Sequence, residues 1–180
     1  LNQNILKPLD SRICLLHIRS GDQFNKKSKS HPIYVLPPLS YYIKIINEFN
    51  DKYDRFIIMT EPDLLNPCIS KLKEYSNKVE ILTNSPEEDY IYFLRAESIV
   101  LSFSTFSDTT VYLSPNLKNL YFWNYQHVFS DKTVIPKNIN LYSLILTKPY
   151  IERGKWDSHN DKNIKLMIDY KLDDVIFENI

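Results

Sequence analysis

Between residues 13 and 123 the sequence alternates short apolar runs with longer segments whose apolar residues recur at helical spacing. The runs at 13–18, 55–60, 79–82, 98–102 and 119–123 have the length of strands, and each is followed by enough chain for a crossover. Strands joined by crossovers rather than tight turns run parallel. The pattern therefore predicts an α/β domain, a Rossmann-like parallel sheet with helices on both faces. Tyr42, Ile43, Ile46 and Phe49 mark the apolar stripe of a helix over 39–49, and a second is expected over 66–75. Ser85-Pro86-Glu87-Glu88 places an N-cap, a proline at the first helical position and acids in the first turn, predicting a third helix to about Glu97. A fourth is expected over 105–113. Residues 1–150 are read as this domain. Residues 151–180, with Ile164, Met167, Ile168 and Tyr170 at helical spacing, are read as a helical embellishment of it.

In such sheets ligands bind beyond the carboxyl ends of the strands. That rule nominates residues 17–22, 60–63 and 102–107, together with the polar, proline-rich loop 23–38. Glycine limits how a phosphate could be held there. Gly21 and Gly154 are the only two in 180 residues, so neither a Walker A loop nor a GxGxxG turn can exist. Side chains or a helix N-terminus must do that work instead. Lys and Arg together number 22, as do Asp and Glu, a balance that argues against a nucleic-acid partner. No apolar run approaches the length of a membrane span, and no leader with a basic start and apolar centre is visible. Cys14 and Cys68 are too few for a disulfide scaffold or a zinc cage, and Cys14 reads as a core residue. His31, His127 and His159 are scattered, and 157–161 lacks the ligand spacing of a calcium loop, so no metal site is expected.

The richest stretch is Leu15-Leu16-His17-Ile18-Arg19-Ser20-Gly21-Asp22. Residues two apart on a strand share a face, so His17 and Arg19 should project together. Gly21 permits a sharp turn, and Asp22 can accept from the turn backbone or from Arg19. A permanently charged, planar guanidinium at a strand's end suits a diphosphate. The same residues also allow a plainer reading, a buried histidine beside an Arg–Asp surface pair. Ser102-Phe103-Ser104-Thr105-Phe106-Ser107 follows the fourth apolar run and opens a helix, where hydroxyls and backbone N–H groups favour an anion. Ordinary N-capping by Ser104 or Thr105 is the alternative there. The aromatic cluster Tyr121-Phe122-Trp123-Tyr125 reads as strand and core, and Tyr41-Tyr42 as a helix face.

His17-Ile-Arg19-Ser-Gly-Asp22 resembles the HxRRxD motif shared by α1,2-, α1,6- and protein O-fucosyltransferases. The block from Asp89 through Ser104-Thr105-Phe106-Ser107, with Tyr112-Leu113 beyond it, is similar to the α1,2-fucosyltransferase pattern. Thr60-Glu61-Pro62-Asp63, followed by Asn66-Pro67, resembles the turn after the second strand near the nucleotide in these enzymes. The resemblance implies the nucleotide-sugar half of a GT-B fold and an inverting, metal-independent transfer of fucose from GDP-fucose to a glycan hydroxyl. GDP-fucose would be a donor substrate, and no cofactor is implied. By the same resemblance Arg19 would neutralise the departing β-phosphate and His17 would contact the nucleotide or orient Arg19. Ser104, Thr105 and Phe106 would bind phosphate, with Asp22 close by. Asp89 would meet the N1–H and amino donors of guanine, a task suited to an acceptor-only carboxylate.

This chain departs from the family at four points. Ser20 stands where the motif has its second arginine, and Asp108-Thr109 stand where tryptophans are common. No acid in the loop after Asp22 can be carried over as a general base, and the family's N-terminal acceptor-binding half is not found in this sequence, as expected of a fragment of a longer enzyme or of a reduced form that finds its acceptor surface elsewhere. These departures keep open a non-catalytic nucleotide-sugar or glycan-binding module. A phosphatase using His17 as nucleophile fits less well, because histidine phosphatases place Arg directly before His and Gly directly after it. Compartment is not set by the sequence: cytoplasm or membrane surface in a bacterium, Golgi lumen in a eukaryote.

Overall fold

A computed structural model describes residues 6–124 and 138–178. Tyr125 and His127, noted above, lie outside the described residues. Seven strands form one sheet: β1 (Ile13–His17), β2 (Arg55–Met59), β3 (Val79–Leu82), β4 (Ser98–Val100), β5 (Asn119–Trp123), β6 (Asn140–Leu146) and β7 (Val175–Phe177). Their spatial order is β3-β2-β1-β4-β5-β6-β7. The first six are parallel to their neighbours, and β7 runs antiparallel to β6. The helices are α1 (Leu39–Glu48), α2 (Pro67–Tyr75), α3 (Pro86–Arg95), α4 (Thr105–Leu113) and α5 (Asp161–Asp169). This is the Rossmann-like half-GT-B architecture expected from the alternation.

Side-chain alternation explains why both faces carry helices. Along β1, Cys14 and Leu16 enter one core with Tyr41, Ile45, Ile69 and Leu72 of α1 and α2. Leu15 enters the other, with Phe93 of α3 and Val111 of α4. On β2, Phe56 and Ile58 face the first core while Ile57 and Met59 face the second. A strand buried on both faces reads as a continuous apolar run, which is how these strands appear in the sequence. Both cysteines are buried and unpaired, as small core residues would be.

Local chemistry sets the helix starts. Ser85 accepts from the Glu88 N–H while the Glu88 side chain accepts from the Ser85 N–H, with Pro86 at the first position. Asn66 caps α2 by accepting from the Cys68 N–H, and Ser104 caps α4 by accepting from the Phe106 N–H. Tyr41 and Tyr42 are buried on α1, and the Tyr42 hydroxyl donates to the His17 carbonyl at 3.4 Å, bracing the end of β1.

Two strands escape the sequence reading. β6 (NLYSLIL) is a half-polar run without a helix-forming partner pattern, and β7 has only three residues. Both gain strand character from pairing with each other across the segment that carries α5, as in Leu144 opposite Phe177. The segment before α5 is not a free tail. It fastens the 23–38 loop: Gly154 and Trp156 N–H groups donate to the Pro32 carbonyl, at 2.9 and 3.3 Å. The Tyr150 hydroxyl donates to the Leu36 carbonyl at 3.2 Å, and the Ser158 hydroxyl donates to the Gln23 carbonyl. Trp156, fully buried, sets its ring 6.3 Å from that of Phe24.

Candidate active site

In the order β3-β2-β1-β4, the direction of winding reverses between β1 and β4. Loops leaving neighbouring strands on opposite sides of that point cannot close over it, so a crevice opens at the carboxyl ends. A cleft of about 460 Å³ occupies this position. Its lining includes all seven residues nominated from sequence: His17, Arg19, Asp22, Asp89, Ser104, Thr105 and Phe106. Residues distant in the chain are gathered because they lie at or beyond the carboxyl ends of three strands, β1, β3 and β4.

Arg19 extends past the end of β1 with 18% of its side chain exposed. One of its terminal nitrogens donates to both carboxylate oxygens of Asp22, at 3.2 and 3.1 Å. The guanidinium also lies 4.9 Å from the centre of the Tyr34 ring, which packs on Phe103 and His31. The Arg–Asp surface pair of the plainer reading is thus present, but it forms one wall of the cleft. Asp22 is largely exposed, so an arriving anion can take over the fork without breaking a buried contact.

His17 is buried between Phe93 and Phe106, with ring centres 5.6 and 6.3 Å away. Burial, with Arg19's charge nearby, pulls its imidazole down to about 3, so it is neutral at physiological pH. Among the described residues its Nδ1 has no partner, and neither has the Oγ1 of Thr60, another buried group lining the cleft. The backbone-bonded histidine of the plainer reading is therefore not what the fold contains.

On the far side, Asn84 donates to Asp89 Oδ1 at 3.0 Å. Burial raises the Asp89 carboxyl above the ordinary range, Asn84 opposes that shift, and the nearby charges of Glu61 and Glu88 reinforce it. Ser104 spends its hydroxyl on the Phe106 N–H at 3.3 Å, so capping is real, and the α4 N-terminus faces the cleft through Thr105.

Sequence reasoning nominated three strand ends and missed the fourth. Asn84 and Pro86, after β3, line the cleft, but the Thr83–Glu88 stretch reads most simply as a helix start. Glu61 supplies an acid that the loop after Asp22 does not. Its position in the nominated 60–63 turn was the available signal.

The pattern that defines glycosyl transferase family 11 matches residues 1–139. The chain belongs to this family, that of the α1,2-fucosyltransferases. No curated protein matches the chain. The family match ends before β6, α5 and β7, so the segment that fastens the 23–38 loop lies beyond it. Glycosyl transfer is the activity this membership assigns in general terms. Among the described residues no cluster of His, Cys, Asp or Glu could hold a metal ion, and no helix is long and apolar enough to cross a membrane.

Proposed function

We propose that this family 11 domain transfers fucose from GDP-fucose to a glycan hydroxyl, with inversion and without a metal. The observation that carries the reading is Arg19, the one cation among the described residues that line a switch-point cleft also containing the α4 N-terminus and Asp89. In the reaction the bond from the sugar's anomeric carbon to the β-phosphate breaks, and its electrons stay on the phosphate oxygen. The acceptor hydroxyl attacks from the opposite face and gives up its proton. Arg19 would stabilise the charge growing on the leaving diphosphate, aided by the start of α4, which borders the cleft. Asp89, held by Asn84, would accept from guanine, and His17 Nδ1 and Thr60 Oγ1 offer partners to ligand hydroxyls.

The lining sets Arg19 against three carboxylates, those of Asp22, Glu61 and Asp89. With acids outnumbering the cation in this lining, short-range contacts to Arg19 and the start of α4 would hold the diphosphate. Arg19→Ala is expected to weaken GDP binding by at least about 1.5 kcal/mol, the scale of a charge-assisted hydrogen bond. Calorimetry with GDP, UDP and ADP tests this. Binding that ignores both Arg19 and the base would sink the reading. The alternative, a non-catalytic nucleotide-sugar or glycan-binding module, draws support from Ser20 in place of an arginine. Slow hydrolysis of GDP-fucose by the isolated chain would argue for the enzyme, and tight binding without turnover for the module.

A further inference from the structure

Ser20, where the family motif carries its second arginine, is fully buried. It faces the turn between β2 and α2. Its hydroxyl donates to Asp63 Oδ1 at 2.6 Å and accepts from the Asn66 N–H at 3.0 Å. Its own N–H donates to Glu61 Oε2 at 2.7 Å. On either side, the Asn66 side chain donates to the Arg19 carbonyl at 2.9 Å, and the Gly21 N–H donates to Asp63 Oδ1 at 3.2 Å. Three consecutive residues of the Arg19 loop are thus fastened to one turn by five hydrogen bonds. Asp63 Oδ1 also accepts from the Leu65 N–H at 3.2 Å, so one oxygen ties the two loops together.

The turn itself is held in a costly shape. Leu64 adopts φ of 52°, a left-handed conformation unusual for leucine. Such a conformation persists where the surroundings over-determine it, and the bonds from Asp63 and Asn66 do so here. An arginine at position 20 would find this space filled by its bonding partners.

We infer that Ser20, Asp63 and Asn66 are positioning residues for Arg19. The inference rests on reading the cleft as the donor-phosphate site. Where the motif has a second cation, this chain has a buried hydroxyl clamp that fixes the main chain from which Arg19 projects. The side chains of Ser20, Asp63 and Asn66 bond one another and nearby backbone and stand outside the cleft lining, while the Ser20 N–H holds Glu61 at its edge. A guanidinium fixed before binding loses little freedom when it grips a diphosphate.

A double-mutant cycle on GDP affinity reads this directly, because groups acting through a shared partner are non-additive. Ser20→Ala is expected to weaken GDP binding about tenfold in the native background and less than twofold in the Arg19→Ala background. Ser20→Thr keeps the hydroxyl and is expected to restore most of the affinity. Asp63→Asn, a milder change should Ser20→Ala fold poorly, is expected to show the same dependence on Arg19 with a smaller factor, about threefold. Melting curves on every variant establish that folded protein is compared. Equal factors in both backgrounds, or folded Ser20→Ala and Asp63→Asn proteins that bind GDP normally, would overturn the clamp while leaving the donor site standing. An Arg19→Ala protein that binds GDP like the native chain would overturn the donor site and the clamp together.

Discussion

Two buried ionisable groups should give this protein opposing responses to acid, and removing either one should expose the other. Burial holds the His17 imidazole at about 3, against an ordinary value of 6.5. Between those values the unfolded chain binds a proton that the folded chain does not, so stability falls as pH falls through the window. From pH 7 to pH 5 the loss from His17 is about 2 kcal/mol, taking 1.36 kcal/mol per unit. Asp108, on α4, behaves in reverse. Its Oδ1 is buried with no protein partner, and desolvation raises its carboxyl from 3.8 to about 7. The folded chain therefore binds the extra proton, and the same pH change returns about 2 kcal/mol. Asp89, also raised, adds in the direction of Asp108.

Urea titrations at pH 7, 6 and 5 and constant ionic strength measure the balance. Native protein is expected to show a shallow pH dependence over this range. His17→Gln is expected to gain about 2 kcal/mol of stability on acidification from pH 7 to 5, and Asp108→Asn to lose about the same. Slopes in the variants matching the native slope would refute a neutral, buried His17 and a protonated Asp108. The comparison uses slopes, so any pH-independent cost of either substitution cancels.

Three further outcomes follow from particular contacts. Gly21 has φ of 45°, and a Cβ there would lie 3.1 Å from Glu61 Oε1, so Gly21→Ala is expected to cost about 1–3 kcal/mol in urea unfolding. Trp156→Ala removes a buried ring that packs on Phe24 and is expected to cost about 3–5 kcal/mol. In that variant, limited proteolysis should shift to the 23–38 loop. Asp89→Asn replaces one of two acceptor oxygens with a donor, so calorimetry should show the GDP preference over ADP falling about tenfold, or 1.4 kcal/mol.

The legible part of the fold was its repeating part. Double-sided burial forces apolar runs on β1 and β2, and a capping box announces α3, so these elements can be read locally. β6 and β7 could not be read in that way. A run such as NLYSLIL becomes a strand because β5 lies beside it, and a three-residue VIF because β6 does. The loop 23–38 was legible as a loop, but its attachment to residues 150–158 joins segments that share no local pattern.

The site divides along the same line. By itself the sequence determined the chemistry available: a lone arginine after a buried strand, hydroxyls at a helix start, an acid in the helix before it and no glycine-rich phosphate loop. Residue type and the two-residue strand period suffice for that, since both are local. Only the tertiary structure decided that these groups share one cleft with Glu61, Thr60 and Asn84, and that His17 is neutral. Only it gave Ser20 a role, because a serine's meaning depends on what its hydroxyl meets, and Asp63 and Asn66 lie more than forty residues away. Strand order and crossover packing bring such distant groups together, and neither is written in any one stretch of the chain.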